Sequence, residues 1–174
     1  TPMQAVQYAP QRGSSCCPSC ILYCLAVLTD TTVSLCPHDV MEAIMSTAWD
    51  TYTLVRGTSG HRFLQQHEVF AALRLPSGIR VREMYGTSRE DLASKESRSV
   101  FIGDLHRRIR DRSALVMTAQ DHSTCLVRSN GDLVAFDPLQ ASVTRLRDAR
   151  ECGEYIARKY PGCQEMTISE ITVV

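Results

Sequence analysis

The chain has 174 residues, of which 44% are hydrophobic and 22% charged, and its 19 basic and 19 acidic side chains balance. This composition is typical of a folded globular protein with a sizeable core, so we expect a single domain over residues 1–174. A nucleic-acid partner is not expected, because it would need clustered basic charge. The densest basic stretch, residues 106–112 ("HRRIRDR"), is predicted to be the solvated face of a short helix.

The cysteines and the apolar segments of the chain indicate the cellular compartment in which the protein functions. No apolar run has the length of a membrane span, and the N-terminus lacks a signal-peptide pattern. The eight cysteines are unevenly spaced, and a chain of this size needs no disulfides for stability. We therefore expect a reducing, intracellular compartment, either cytoplasmic or, for a pathogen's protein, the host cytosol. Because the chain begins at Thr1, we interpret it as a monomeric domain of a longer protein. We also expect no membrane partner.

The first half of the chain predicts mainly helices. A Gly-Ser-Ser turn at residues 13–15 precedes a nearly all-apolar run, which predicts a buried helix over residues 17–28. Pro18 is tolerated only in the first turn of a helix, which places Cys16 near the N-cap. The further predicted elements are a helix over 37–48, a loop over 49–61, a short helix over 66–73 and a strand over 79–85.

The second half of the chain predicts an antiparallel sheet. Three strand candidates follow one another closely, and Asn130-Gly131 between the last two is a strong hairpin signal. Helices followed by hairpin-connected strands indicate an α+β fold. The predicted elements are a surface loop over 86–98, a helix over 104–110, strands over 113–119, 123–129 and 132–138, a helix over 148–159 and a strand over 165–174.

The adjacent cysteines Cys16 and Cys17 raise the possibility of a thiol nucleophile. A thiolate is favoured at a helix N-terminus, where the dipole and unpaired N–H groups attract negative charge. Cys16 meets this requirement, whereas Cys17 lies one residue further in and is expected to point into the helix packing. Sequence alone leaves the choice between the two open.

A thiol nucleophile also needs a base and a group that orients the base. His122 precedes one strand of the predicted hairpin and Asp137 ends the other. A turn at Asn130-Gly131 would place the two almost opposite each other. The carboxylate would then hold one imidazole nitrogen and leave the other for the thiol.

Three glutamines before Cys16 are candidate oxyanion donors, and the cysteines have two alternative roles. Gln4, Gln7 and Gln11 precede the cysteine, and the amide of one of them could join the Cys16 N–H in stabilising an oxyanion. Cys16 could instead be a structural thiol. A zinc site is disfavoured, because no second pair of ligands stands near Cys17 and Cys20. We expect no metal and no cofactor.

Two segments resemble the deubiquitinase domain of herpesviral large tegument proteins. "YAPQRGSSCCPSC" is similar to its N-terminal motif, and "HSTCLVRSNGDLVAFDP" to its late hairpin. The resemblance implies a papain-like cysteine protease fold, with N-terminal helices packed on an antiparallel sheet, and ubiquitin or polyubiquitin, or a ubiquitin-like protein, as partner. It also implies that Cys16 is the nucleophile and that Asp137 orients the histidine. Gln4 is the nearest match to the oxyanion glutamine, one residue closer to the cysteine than in the viral pattern.

One departure from the viral pattern concerns the base. The viral motif is Asp-Pro-His, whereas this chain has Leu139 after Asp137 and Pro138, and leucine accepts no proton. Either the domain is inactive or the base is His122. We favour His122, which restores the papain-like order of Cys, His and Asp and suggests a cellular or bacterial relative. The predicted function is a deubiquitinase. The alternatives are a papain-like hydrolase or acyltransferase with another substrate, and an inactive ubiquitin-binding module.

Overall fold

Helices lie on both faces of one antiparallel sheet. The computed structural model describes residues 6–7, 11–29, 38–57, 62–87 and 94–174. Its helices are α1 (Cys16–Thr29), α2 (His38–Arg56), α3 (Gln66–Ala72), α4 (Lys95–Arg108) and α5 (Ala149–Lys159). Its strands are β1 (Val6–Gln7), β2 (Ile79–Thr87), β3 (Ser113–Ala119), β4 (His122–Ser129), β5 (Asp132–Asp137), β6 (Ser142–Leu146) and β7 (Met166–Val173). The predicted α+β class is confirmed.

The sheet separates two hydrophobic cores. Its strands follow the order β1-β6-β5-β4-β3-β7-β2, and every neighbouring pair is antiparallel. Helices α1, α2 and α3 cover one face, and α4 and α5 cover the other. All seven residues of β3 are buried, since both of its faces are covered.

Helix α1 is the most buried of the described helices and starts at Cys16, one residue before the predicted start. It packs between β4 and α2, which explains why its sequence is apolar on nearly every side. Its Tyr23 ring stacks on Phe136 of β5, with ring centroids 4.3 Å apart. The contact joins the first helix to the hairpin that ends at Asp137.

The β4–β5 hairpin forms as the Asn-Gly signal predicts. Asn130 and Gly131 both have positive φ, 53° and 81°, as a type I′ turn requires. The register pairs Cys125 with Phe136, so Asp137 and His122 lie at the same end of the hairpin. This end is also where α1 begins.

Two sequence predictions are wrong, and two strands, β1 and β6, were not predicted. Residues 49–56 belong to α2 and not to a loop, because Trp49 and Tyr52 stack one turn apart, 5.5 Å between centroids, with Tyr52 buried. Helix α4 begins at Lys95 and not at 104, capped by the Ser94 hydroxyl, so residues 95–98 are not loop. Strand β6 was not predicted; its five residues continue the sheet after the turn that follows Asp137.

The remaining boundaries agree with prediction within two residues. They are those of α1, α3, α5 and the strands β2, β3, β4, β5 and β7. No helix in the described part of the chain is long and apolar enough to cross a membrane. The seven cysteines within the described ranges are all free and buried.

Candidate active site

The turn before α1 presents Cys16 at the helix N-terminus. The Ser15 hydroxyl donates to the Arg12 carbonyl at 2.7 Å, and Ser19 donates to the Ser15 carbonyl through its backbone N–H at 3.0 Å and its hydroxyl at 2.7 Å. Cys16 is therefore fixed in the first turn, where backbone N–H groups have no intrahelical acceptor. Those groups favour negative charge on the sulfur.

Gly13 and Trp49 hold this turn against α2. Gly13 has φ +55°, and a Cβ built on it would lie 2.7 Å from Cζ3 of the Trp49 ring. Only glycine meets both constraints, the left-handed backbone and the close approach of the indole. The chain's single tryptophan thus lies directly beneath the turn that carries Cys16.

His122 and Asp137 meet as the hairpin predicted. Nε2 of His122 lies 2.9 Å from Oδ1 of Asp137. Cys16 lines the same cavity as His122 and interacts with its imidazole, and Nδ1 is the ring nitrogen that the bond to Asp137 leaves for the thiol. Burial lowers the pKa of His122, but the bonds to Asp137 and Cys16 outweigh it and raise that pKa to about 9. The imidazole therefore lies between the thiol and the carboxylate.

The Asp137 carboxylate has partners on both oxygens. Besides His122, Oδ1 accepts from the Leu139 backbone N–H at 2.9 Å. Oδ2 is 2.6 Å from the ammonium of Lys159 at the end of α5, which also donates to Gln140 at 3.1 Å. Burial raises the pKa of Asp137, but the bonds from His122 and Lys159 outweigh it and lower the pKa to about 2. The carboxylate is thus held as an anion.

Sequence reasoning missed Lys159. Its side chain is only 11% exposed and that of Asp137 only 3%. The one available signal was a basic residue in the last turn of a helix, which usually means no more than a favourable dipole interaction.

Cys17 lies away from the imidazole, in the core. It is completely buried, and burial strongly raises the pKa of its thiol, while Ser123 bonds it. Burial likewise raises the pKa of Cys20 to about 12. Of the two candidate nucleophiles, the structure brings only Cys16 to His122.

The structure describes the three candidate glutamines to different extents. Gln4 lies outside the described residues, and for Gln7 only the backbone, in β1, is described. The Gln11 backbone N–H donates to the Pro138 carbonyl at 2.9 Å, and its Nε2 donates to the Gly13 carbonyl at 2.8 Å. Gln11 therefore ties the Asp137–Leu139 turn to the turn before Cys16.

A groove opens over the Cys16–His122 pair. It contains a cavity of about 540 Å³, flanked by Phe63 on one side and the half-exposed Leu139 on the other. A second cavity of about 420 Å³ shares Phe63, Gln65 and Asp121 with it, so the groove continues past the β3–β4 turn. The first cavity is lined by Gln11, Gly13, Ser14, Cys16, Arg62, Phe63, Gln65, Asp121, His122 and Leu139.

One wall of the groove is anchored by a buried amide. Nε2 of Gln66 donates to the Val116 carbonyl at 3.0 Å, the Thr118 hydroxyl at 2.8 Å and the Thr167 carbonyl at 3.2 Å. Its Oε1 accepts from Ser169. These bonds fix α3, and with it the segment that carries Phe63, to β3 and β7.

Metal ligands do not gather at this site. Within the described ranges, no group of three or more His, Cys, Asp or Glu side chains is arranged to hold a metal ion.

An α+β fold with helices on both faces of an antiparallel sheet carries this Cys–His–Asp arrangement. Among solved structures the chain is similar to the ubiquitin-specific protease encoded by the murine cytomegalovirus tegument protein M48, solved with a ubiquitin-based suicide substrate. The two chains are 13% identical, the match covers 97% of this chain and 85% of that one, and the TM-score is 0.67. No protein-family model and no curated protein sequence matches the chain. The similarity confirms the protease fold that the sequence resemblance implied.

Proposed function

We propose that the chain is a deubiquitinase, a thiol-dependent isopeptidase that cleaves after the C-terminal glycine of ubiquitin or polyubiquitin. The observation that carries the proposal is that Cys16 and His122 line one groove while His122 is bonded to Asp137. The fold shared with a viral ubiquitin-specific protease supports the choice of substrate. A ubiquitin-like protein would present the same kind of C-terminus.

The proposed reaction starts at the sulfur of Cys16. His122 takes the thiol proton through Nδ1, and the thiolate attacks the carbonyl carbon of the terminal glycine. The first-turn N–H groups of α1 and one glutamine amide stabilise the oxyanion. Gln4 is the predicted glutamine; the amide nitrogen of Gln11 is engaged by Gly13.

Collapse of the intermediate requires the proton that His122 has taken. The imidazolium gives it to the leaving amine, the C–N bond breaks, and a thioester forms on Cys16. Water then attacks the thioester with His122 as its base, and the thiol is released. No metal or cofactor takes part in this scheme.

Asp137 and Lys159 serve this chemistry indirectly. Asp137 fixes the imidazole so that Nδ1 faces the sulfur, and it stabilises the imidazolium that forms. Lys159, bonded to the other carboxylate oxygen at 2.6 Å, keeps Asp137 ionised and prevents it from turning away. We propose Lys159 as a positioning residue of the site.

The groove fits a substrate with a thin tail. Phe63 and Leu139 both line the cavity over Cys16, where they would contact the tail of the substrate. The substrate's folded body would then contact the surface outside the groove. We place this activity in an intracellular compartment, in a single monomeric domain over residues 1–174.

A second candidate function is an inactive ubiquitin-binding module. Leu139 favours it, because it stands where the viral motif has its histidine. The 2.9 Å contact of His122 with Asp137, and the cavity that His122 shares with Cys16, favour the active enzyme instead.

Turnover of ubiquitin with a fluorogenic amide at its C-terminus distinguishes these functions. We expect wild type and Cys17→Ala to release the fluorophore, Cys16→Ala to be inactive, and His122→Ala to be slower by about 10²–10⁴-fold. A matched Gly-Gly peptide amide tests whether the ubiquitin body contributes. Peptide cleavage without ubiquitin cleavage would indicate another substrate, and ubiquitin binding without turnover would indicate the inactive module.

A further inference from the structure

A second cavity, of about 510 Å³, lies at the opposite end of the sheet from Cys16. The basic stretch at residues 106–112 supplies one wall, from the end of α4, and β2 supplies the other. The two segments are distant in the sequence, yet they contribute five guanidinium groups to one recess. The lining residues are Arg80, Arg82, Asp104, Arg107, Arg108, Arg110, Ser113, Glu170 and Thr172.

Carboxylates neutralise this recess only in part. Arg82 pairs with Glu170 at 3.3 Å, and Arg107 pairs with Asp104. Arg80 and Arg110 have no carboxylate partner among the described residues. With five arginines and two acids, the recess carries net positive charge in a chain whose overall formal charge is zero.

The dipole of α4 accounts for only some of these arginines. Cations are favoured at a helix C-terminus, which explains Arg107 and Arg108. Arg80 and Arg82 belong to β2, where that explanation does not apply. Their alternate positions on the strand turn both side chains to the face opposite Ile79 and Val81, toward α4.

The chemistry of the lining selects the kind of ligand. Among the described residues, all nine side chains that line the recess are polar or charged, and none of them forms an apolar pocket that would anchor a peptide side chain. Guanidinium groups bind phosphate oxygens through paired N–H donors, and the Thr172 hydroxyl adds a short polar side chain to the lining. The volume is in the range of small-molecule sites.

We propose that this recess, the arginine site, binds a compact, multiply charged anion of the phosphate class. The proposal is independent of the deubiquitinase function. Strand β3 runs from Ser113 at the arginine site to Ala119, which pairs with His122, so the length of the sheet separates the two sites. An anion bound there leaves the groove over Cys16 open.

Calorimetric titration of the full chain with inorganic tripolyphosphate, at an ionic strength held constant with NaCl, tests the proposal. We expect saturable binding at one site. The double variant Arg80→Gln, Arg110→Gln should bind at least tenfold more weakly. The matched variant Arg147→Gln, Arg150→Gln removes the same charge from two exposed side chains, one just before α5 and one in its first turn, and it should bind like wild type.

Three results would overturn the arginine site. They are the absence of saturable binding to wild type, equal weakening in the two double variants, and equally tight binding of an oligoglutamate of the same charge. The second would show only a dependence on overall charge, and the third a site for acidic peptides. Because the arginines involved are exposed, circular dichroism is expected to show both variants folded like wild type.

Discussion

At the scale of single residues, the site depends on how charge is shared among three groups. His122 and Lys159 both bond the Asp137 carboxylate, on different oxygens. The carboxylate raises the pKa of the imidazole, and the two cations lower the pKa of the carboxylate. Changes at Asp137 and Lys159 therefore shift the titration of His122 in opposite directions.

The first prediction concerns the alkaline limit of activity. With the pKa of His122 at about 9, the imidazolium that protonates the leaving amine is lost above that pH, so turnover should decline there. Asp137→Asn removes the anion that raises this pKa, so the decline should move to lower pH and the rate should fall. The pH profile of ubiquitin amide hydrolysis measures both. His106→Gln, on the surface of α4, is the control, and an unmoved limit in Asp137→Asn would contradict the account.

The second prediction concerns Lys159. Lys159→Met leaves a buried carboxylate oxygen without its cation, so we expect a loss of about 3 kcal/mol in the free energy of unfolding. Without Lys159, the negative charge of Asp137 acts on His122 alone and raises the pKa of the imidazole further. The alkaline limit of activity should therefore move to higher pH, whereas in Asp137→Asn it moves to lower pH. Chemical denaturation and the pH profile of Cys16 alkylation by iodoacetamide measure these effects without ubiquitin.

Two further variants, Lys95→Met and Lys159→Arg, are controls for the Lys159→Met substitution. The chain contains seventeen arginines but only two lysines, Lys95 and Lys159. Lys95→Met should change neither stability nor the pH profile. Lys159→Arg keeps the charge but exceeds the space of a compact ammonium, so it should restore stability only in part. A Lys159→Met profile identical to wild type would reduce Lys159 to a structural role.

The third prediction concerns stability against pH. The pKa of His122 is raised from 6.5 to about 9, so its contribution to stability is complete below pH 6.5 and disappears as the pH rises through 9. The pKa of Asp137 is lowered from 3.8 to about 2, so its contribution is complete above pH 3.8 and is lost as the pH falls through 2. The difference in unfolding free energy between wild type and His122→Gln should therefore shrink between pH 6.5 and 9. A constant difference would contradict the raised pKa.

At the scale of elements, the start of α1 depends on α2. Gly13→Ala would put a methyl group against the Trp49 ring and strain a backbone with positive φ. We expect it to cost more than the roughly 1 kcal/mol of the φ strain alone and to slow alkylation of Cys16. Fluorescence of the single tryptophan during denaturation reports the change directly.

Gly57 provides the matched control for this fourth prediction. It has φ +66°, but a Cβ there would meet nothing within 4 Å in the described structure. Gly57→Ala should therefore show the backbone cost alone and leave Cys16 alkylation unchanged. Equal effects of the two substitutions would show that the contact with Trp49 contributes nothing.

Elements with a strong local signal were predictable from the sequence. The apolar run after Pro18 and the Asn130-Gly131 turn fixed α1 and the hairpin, and the hairpin brought His122 to Asp137. The end of α2 was predicted too early, before Trp49, whereas the helix continues to Arg56, directly before Gly57. The packing of Trp49 and Tyr52, which is not evident from the sequence, stabilises this last part of the helix. Strand β6 was missed because it is only five residues long and contains two hydroxyl side chains and an arginine.

At the scale of the whole molecule, the fold collects the site from four distant segments. Cys16 comes from the helix on one face of the sheet, His122 and Asp137 from adjacent strand ends, and Lys159 from a helix on the other face. The first three were accessible to sequence reasoning because a turn or a hairpin fixes each locally. Lys159 was not, because its contact depends on how α5 packs on the sheet.

The two recesses at opposite ends of the sheet have opposite character. The groove over Cys16 contains Phe63 and Leu139 beside the reactive groups, whereas the described residues that line the arginine site are all polar or charged. A macromolecular substrate and a small anion could therefore occupy the molecule together. Only the groove belongs to the proposed deubiquitinase.

The reaction of the protein with ubiquitin carrying a C-terminal electrophile tests the central claim most directly. Mass spectrometry of the product would identify which of the eight cysteines is modified. We predict a single adduct on Cys16, retained in Cys17→Ala, absent in Cys16→Ala and formed far more slowly in His122→Ala. An unmodified wild-type protein shown to be folded, or an adduct on any other cysteine, would contradict the claim.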